Sequence, residues 1–595
     1  MVKKAARPLE SRWTPRDTFA AAALFAATAA FVLWQNAHVA VLFDLSYILN
    51  TAGRIALGQV PYRDFPLAHA PLTFVLQAAI IRLTGRVIFH HVLYVATVGG
   101  LGTVLTWRMA LNLLRGRVLA AWILALLLTA PLVFLGVYSI VPNPEYDCDC
   151  GFWLLVALWS LGWLDTGGNN ESAARGGRLN LSWRGFAAGT LACVPIFFKQ
   201  NMGVPFLLAA MGAVALLLAL RMLPQKQVSE AAPATSALLG FLAGAVAALA
   251  IALLELQATA GLNNFFHWTV QYAGQRRLPG LDLMLGVYRD PTLLYTLPCV
   301  AAALVLLRFG GKFLWARIAA FVLLAAPFVY TLVSLAIYDD ADERSDSLLA
   351  LWPFLLILAA ALALVNLIGP RRELRLRAFF PLLLLAAIHG TFMSQQLWGS
   401  TYGIWALLVL LVAELIACLE GFSASAPVSR WFVPALTAII SVTLLVCGGF
   451  YAVSEERLSY ANQPDGPAEH SAFPALAGLA TPGPYVPEID ELLRYAQANI
   501  PFDDGILILP GEEPFYFATG RVPHFPVPFF DPTIDPYTSA EIASLARSRK
   551  IRWLIVKRDV QTKEDPTPDR AALLATLLGD YKLVEHLRGY DVYRR

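Results

Sequence analysis

Apolar runs such as "FAAAALFAATAAFVLW" and "LLGFLAGAVAALAIALL" recur along this chain. Several reach the roughly 20 residues needed to cross a bilayer core as a helix. In lipid the backbone's polar groups have no water to turn to, so each crossing segment must satisfy them internally as a helix. Composition agrees: 57% of residues are hydrophobic, 15% are charged, and mean hydropathy is +0.58. A soluble protein carries closer to a quarter charged residues. The net charge of +3 is spread over short loops and gives no sign of a nucleic-acid partner. The expectation is a polytopic α-helical membrane protein.

Thirteen spans are expected, near 18–43, 87–110, 118–138, 151–165, 185–201, 203–221, 236–258, 291–308, 314–337, 347–368, 379–397, 401–420 and 431–452. The basic start has no small-residue cleavage site, so the first run reads as a retained span rather than a signal peptide. One set of loops is basic, with Lys3, Lys4, Arg7, Arg12 and Arg16, then Arg115 and Arg117, then Arg371, Arg372, Arg375 and Arg377. The other set holds the acidic "PNPEYDCDCG" and "YDDADERSDS". Basic loops stay cytoplasmic, so the acidic loops face out. The stretch "APLTFVLQAAIIRLTGR" is too short to span and reads as an interfacial or re-entrant helix. An odd count then puts the tail outside, at the outer face of a bacterial inner membrane, with the N-terminus cytoplasmic.

The multi-span domain is expected over 1–452, a loose linker over 453–484 and a periplasmic α/β domain over 485–595. "VPEIDELLRYAQAN" and "SAEIASLARSRK" have helical spacing, while "GILILP" and "RWLIVKR" are β-rich, and strands alternating with helices indicate an α/β unit. The six cysteines form no disulfide framework: four lie in apolar runs, and Cys148 and Cys150 share a loop.

The stretch "FDLSYILNTAGRIALGQVPYRDFPLAHAPL" resembles the first loop of GT-C superfamily glycosyltransferases. There an acidic residue precedes an amphipathic helix, a G-x-x-P-Y-x-D turn and an H-P-P-L-like helix start. The bacterial protein O-mannosyltransferase and lipid A aminoarabinose transferase type is the nearest in look. Here "HAPL" stands for H-P-P-L, and Asp44 stands alone where many members have Asp-Glu. "CVPIFFKQNMGVPFLLAA" resembles the family's L-T-K turn, and "PEYDCDCGFWLL" sits where a second acidic motif belongs.

The resemblance implies inverting transfer of a sugar from a polyprenyl-phosphate donor to a glycan, lipid or protein acceptor, in contact with membrane lipids. Such transfer needs a base for the acceptor and cations for the leaving phosphate. It implies Asp44 as the base. Arg63, Asp64, His69, Glu145, Asp147 and Asp149 are then substrate contacts, although "PYRDF" is also an ordinary turn and His69 also suits a helix cap. Lys199 is costly at membrane depth, which favours a cavity. With Arg276 and Arg277 it is a candidate for the donor phosphate; a solvated Arg pair is the plain alternative. Arg344 is a further phosphate candidate in an otherwise solvated turn. Asp147 and Asp149 are candidate ligands for a divalent metal, with an acidic cavity wall as the simpler reading. Gly511, Glu512 and Glu513 follow a strand and read as a turn into a helix.

Two other classes compete. A transporter or lipid flippase needs paired repeats with broken helices at the midplane, and no repeat is present. A receptor with the tail as a binding module leaves Asp44 and Lys199 unexplained.

Overall fold

The first helix, α1 (Pro15–Asn36), starts at a capping box, with Thr14 and Asp17 exchanging hydrogen bonds at 3.0 and 3.3 Å. This computed structural model describes residues 13–165, 182–222, 234–276, 278–337, 347–368, 376–393, 402–458, 460–531, 534–564, 566–567 and 569–595, apart from 423–430. Arg277, Arg344 and the basic residues Arg371, Arg372 and Arg375 lie outside the described residues.

Among the described residues, eight helices are long and apolar enough to cross a bilayer. They include α1, Ile88–Leu114, Thr235–Thr259 and Phe432–Val453. The chain is therefore a multi-pass helical membrane protein. Other expected spans are shorter or interrupted. The run over 118–138 divides at Thr129–Pro131 into Ala121–Thr129 and Leu132–Leu135, because proline offers no N–H to continue the helix. The first span ends at Asn36 rather than near 43, and a second helix, α2 (Leu42–Ala56), begins after a short break. The next, α3 (Leu72–Thr84), has 13 residues. At 1.5 Å per residue it covers only about 20 Å, too little for a hydrocarbon core of about 30 Å.

The ends of the Ile88–Leu114 helix differ in character. Beyond Leu114, Arg117 bonds to the buried Glu414 at 3.0 Å, with Arg377 at 3.9 Å. Arg108 lies 3.6 Å from Asp17 toward the same end. At the other end the Phe89 N–H donates to the Ala477 carbonyl of the C-terminal region at 2.8 Å.

The acidic motif is not a loop. A helix, Tyr146–Asp165, takes in Asp147, Cys148, Asp149 and Cys150 in its first turns. Carboxylates there suit the positive end of the helix dipole. Both thiols are buried inside the helix packing.

The C-terminal domain contains a sheet in the order β3 (Gly505–Leu509), β4 (Ile551–Lys557), β6 (Tyr590–Arg594), β5 (Lys582–His586). β3 and β4 are parallel, and β4–β6 and β6–β5 are antiparallel. Helices Tyr485–Asn499 and Ser539–Ser548 fall where the sequence spacing puts them. Residues 453–484, expected as a loose linker, carry the antiparallel pair β1 (Ala468–His470) and β2 (Ala480–Pro482). Leu476 and Leu479 of that segment are buried in the same core as Val486 and Ile489.

This domain sits on α2. Ser46 donates to the Glu512 carbonyl, and Asn50 bridges the Glu513 carbonyl and the Phe517 N–H, each at 2.9 Å. Arg54 donates to the Pro526 carbonyl, and Phe43 stacks on Phe529 at 5.4 Å. Beneath the contact Lys557 pairs with Glu512 at 2.8 Å and Glu513 at 3.4 Å, all with 0% side-chain exposure. Burial works against the ammonium, but the two carboxylates outweigh it and hold Lys557 at about 12. "GEE" is thus a buried ionic node and not a plain turn.

Helix Tyr146–Asp165 crosses Gly403 backbone to backbone: a Cβ on Gly151 would lie 2.5 Å from the Gly403 carbonyl oxygen. Gly151→Ala is expected to lower stability by about 1–3 kcal/mol through overpacking. Gly162→Ala in the same helix meets nothing within 4 Å and is expected to be neutral or stabilising by up to about 1 kcal/mol. Thermal unfolding of the two variants in one detergent checks the contrast.

Candidate active site

The C-terminal domain and four chain segments bring together a cluster of mostly buried polar side chains that frames a candidate reaction chamber. The first contribution is Asp44, in the opening turn of α2. The Tyr460 phenol donates to its carboxylate at 2.8 Å. Next comes Glu145, just before the Tyr146–Asp165 helix, with its own Oε1 accepting from the Tyr146 N–H at 3.2 Å. Burial first, and then the charge of Asp44, push the Glu145 carboxyl well above the usual range, while Lys199 pulls it back. Glu145 therefore lies within electrostatic reach of both Asp44 and Lys199.

Lys199 is 7% exposed. It stands between the 3₁₀ turn Val194–Phe197 and the helix Gln200–Met222, with its N–H on the Pro195 carbonyl at 2.9 Å. The helix doubles back so closely on that turn that a Cβ on Gly203 would lie 2.3 Å from the Ile196 nitrogen. Only glycine leaves room, and the close approach presents the lysine to the chamber. Its ammonium pairs with Asp147 and lies 5.5 Å from the Tyr146 ring centre. A buried lysine needs such a partner, because an isolated buried charge is expensive.

His69 joins the same wall. Its Nδ1 hydrogen-bonds the Tyr47 hydroxyl at 2.8 Å, its carbonyl accepts from Tyr62 at 2.7 Å, and its ring lies 4.4 Å from Tyr146. Tyr62 itself has φ 69°, a conformation that non-glycine residues adopt rarely. It sits in a turn closed by the Tyr62 N–H on the Phe65 carbonyl at 2.9 Å.

Asp149 has a different task. One oxygen accepts from Tyr94 and Tyr138, each at 2.6 Å, and the other from Thr73 at 2.8 Å. With 0% exposure it ties α3, the Ile88–Leu114 helix and the Tyr146–Asp165 helix together. Asp147 and Asp149 are two positions apart, so they leave the helix on different sides. One is neutralised by Lys199 and the other is saturated by hydroxyls, so the pair does not converge on a divalent ion. Among the described residues no group of three or more His, Cys, Asp or Glu side chains is arranged to hold a metal.

Arg63 and Asp64 stand apart from the chamber. They pair with each other at 2.8 Å in the exposed turn, and Asp64 also accepts from the Val60 N–H at 2.7 Å. Arg276 is exposed, 5.9 Å from the Tyr272 ring centre, after the π-helical turn His267–Tyr272. That turn reaches the chamber's edge, where Gln200 donates to the Thr269 carbonyl at 3.2 Å.

The structure adds residues the sequence did not flag. They are Tyr460, Tyr402, which is close enough to Asp44 and Glu145 to feel their charge, and the buried Arg457, which burial pulls down to about 10. A carboxylate beside a phenol can accept a proton, and a lysine and an arginine nearby can neutralise an anion.

In overall arrangement the chain is similar to ArnT from Cupriavidus metallidurans bound to undecaprenyl phosphate. Identity is 14%, coverage is 96% of this chain and 97% of that chain, and the TM-score is 0.43. For apo ArnT the figures are 13%, 97%, 98% and 0.44. It is also similar to the archaeal oligosaccharyltransferase AglB from Archaeoglobus fulgidus in complex with an inhibitory peptide and a dolichol-phosphate, at 13% identity, 91% and 70% coverage and a TM-score of 0.44. No protein-family model and no curated protein matches the sequence.

Removing one partner of a buried ion pair strands the other. Lys199→Met is expected to cost about 3–5 kcal/mol, and Lys199→Met with Asp147→Asn to recover most of it. A double-mutant cycle by thermal unfolding reads the coupling directly.

Proposed function

We propose that this protein is an inverting membrane glycosyltransferase that moves a sugar from a polyprenyl-phosphate donor to an acceptor. The observation that carries this reading is the meeting of Asp44, Glu145, Asp147 and Lys199 from three separate motifs in one buried chamber. Each of those motifs bears the resemblance to the GT-C glycosyltransferases on its own residues.

Asp44 takes the proton from the acceptor hydroxyl or amine as its heteroatom attacks the anomeric carbon. The bond from that carbon to the phosphate oxygen breaks with inversion, and the polyprenyl phosphate leaves. Lys199 stabilises the charge that grows on the phosphate. An incoming phosphate competes with Asp147 for the ammonium, and Glu145, whose carboxyl burial and Asp44 push upward, opposes it less than an ordinary carboxylate would. Arg276, exposed after the turn that contacts Gln200, is a further candidate contact for the donor phosphate. Arg63 and Asp64 hold the first-loop turn in shape, and His69 lines the wall next to Tyr146.

The charged ends of the helix bundle support the direction of the site. Arg117 and Arg377 collect at the end away from the C-terminal domain, and basic loops mark the cytoplasmic side. The chamber and the domain above it then face the periplasm across a bacterial inner membrane.

The test is release of polyprenyl phosphate from a panel of polyprenyl-phosphate sugars. Wild type is expected to turn over one of them, and Asp44→Asn to fall at least about 10²-fold with its fold intact, within the range typical of lost general-base catalysis. Equal release by both proteins moves the base away from Asp44. A C-terminal reporter active in the cytoplasm overturns the orientation.

A further inference from the structure

The α2 helix lacks an ordinary start. Its N-cap is Val41, which has no side-chain acceptor for the first free N–H groups. Such groups need a partner when buried. Here the partner comes from the far end of the chain. The Leu42 N–H donates to Gln561 Oε1 at 2.8 Å, and Gln561 Nε2 donates to the Ala40 carbonyl at 3.0 Å. One side-chain amide thus grips both sides of the helix start, two residues before Asp44.

The Gln561 main chain is fixed in turn. Its N–H donates to Glu512 at 2.9 Å, and its carbonyl accepts from the Asn462 N–H at 2.6 Å. That second contact belongs to a short two-chain pairing. Ala461 faces Thr562 in an antiparallel bridge, and the Lys563 N–H donates to the Tyr460 carbonyl at 3.0 Å. Tyr460 is the residue whose phenol donates to Asp44. Its ring packs edge-on against Phe43 at 5.5 Å. The segment 560–563 therefore holds Asp44 twice, through the backbone just before it and through its carboxylate. Both holds lead back to the Glu512–Lys557 pair.

We propose that Gln561 and Tyr460 are positioning residues for Asp44, so that the C-terminal domain completes the reaction chamber and sets the rate of turnover. This rests on the reading of Asp44 as the base. A carboxylate that must meet a bound acceptor at hydrogen-bond range loses rate steeply when it shifts by an ångström, on the order of 10²-fold. Binding of the lipid phosphate, which Lys199 governs, does not depend on that placement.

The test uses the purified full-length protein with Tyr460→Phe, Gln561→Met and Asp44→Asn. Tyr460→Phe removes one hydroxyl, and Gln561→Met keeps the volume without the two hydrogen bonds. For the donor that the panel identifies, both are expected to lower kcat by about 10- to 100-fold. Donor KM and the affinity for undecaprenyl phosphate, read by tryptophan fluorescence, are expected to stay within about two-fold of wild type, as for an interaction made only in the transition state. Unchanged kcat in both variants, with Asp44→Asn inactive, overturns the positioning role and leaves the base intact. Full activity in Asp44→Asn overturns the base and the positioning role with it. Parallel loss of kcat and lipid affinity, with a lowered unfolding midpoint, makes the residues merely structural and also overturns the proposal. Amide exchange over residues 41–47 gives an outcome independent of turnover: Gln561→Met is expected to speed it at least about ten-fold, and unchanged exchange refutes the grip on the helix start.

Discussion

A lysine with no solvent exposure, Lys557, sits between two equally buried glutamates at the base of the C-terminal domain. Charges removed from water are costly unless paired and fully hydrogen-bonded. Glu512 meets that condition with the lysine, the N–H groups of Gln561 and Thr562, and the Thr562 hydroxyl. Glu513 takes the Tyr590 hydroxyl at 3.0 Å. Their own carbonyls then point at Ser46 and Asn50 of α2. The node therefore both closes the domain's sheet and docks it. An apolar core of the same volume would close the sheet but would offer no fixed carbonyls to α2.

From that contact the rest of the chamber follows. Nearly every position from Leu42 to Ile55 is buried, so α2 is a shared wall between the domain and the membrane helices. Asp149 performs the matching task on the membrane side, with three hydroxyls, two from helices and one from the turn at Tyr138, on one carboxylate. Close glycine crossings at Gly151–Gly403 and Gly203–Ile196 bring Tyr402 and Lys199 within reach. The polar chamber is thus framed by hydrogen bonds and backbone contacts, which suits a membrane protein, whose helices gain little from hydrophobic association in lipid.

Much of this was legible in the sequence where the signal is local. Apolar run length located the long helices, and helical and β-rich spacing located the C-terminal elements. Asp44, Glu145, Asp147 and Lys199 stood out as polar residues beside apolar runs. The signal failed where partners are remote: Tyr460 reaches Asp44 across 416 positions and Gln561 reaches Leu42 across 519. The 453–484 segment looks loose because it is rich in Pro and Gly, and its order comes from contacts no local pattern encodes. Arg63 and Asp64 are accounted for locally, since their charges pair with each other and close a turn from Val60 to Asp64. Asp147 and Asp149 share one motif, yet helix geometry sends them to unrelated partners.

The grip of Gln561 on the start of α2 also bears on the order in which the molecule is made. The helix leaves the ribosome well before its cover, from Gly505 to Gln561, which follows all the long apolar helices in chain order. Until that cover is made, Ser46, Asn50 and the Leu42 N–H lack the partners they have in the finished fold. A chain that stops before β4 has its membrane helices but neither Lys557 nor Gln561. Completion of the chamber therefore waits on arrival of the C-terminal domain, and a truncated product leaves Asp44 in an unfinished wall.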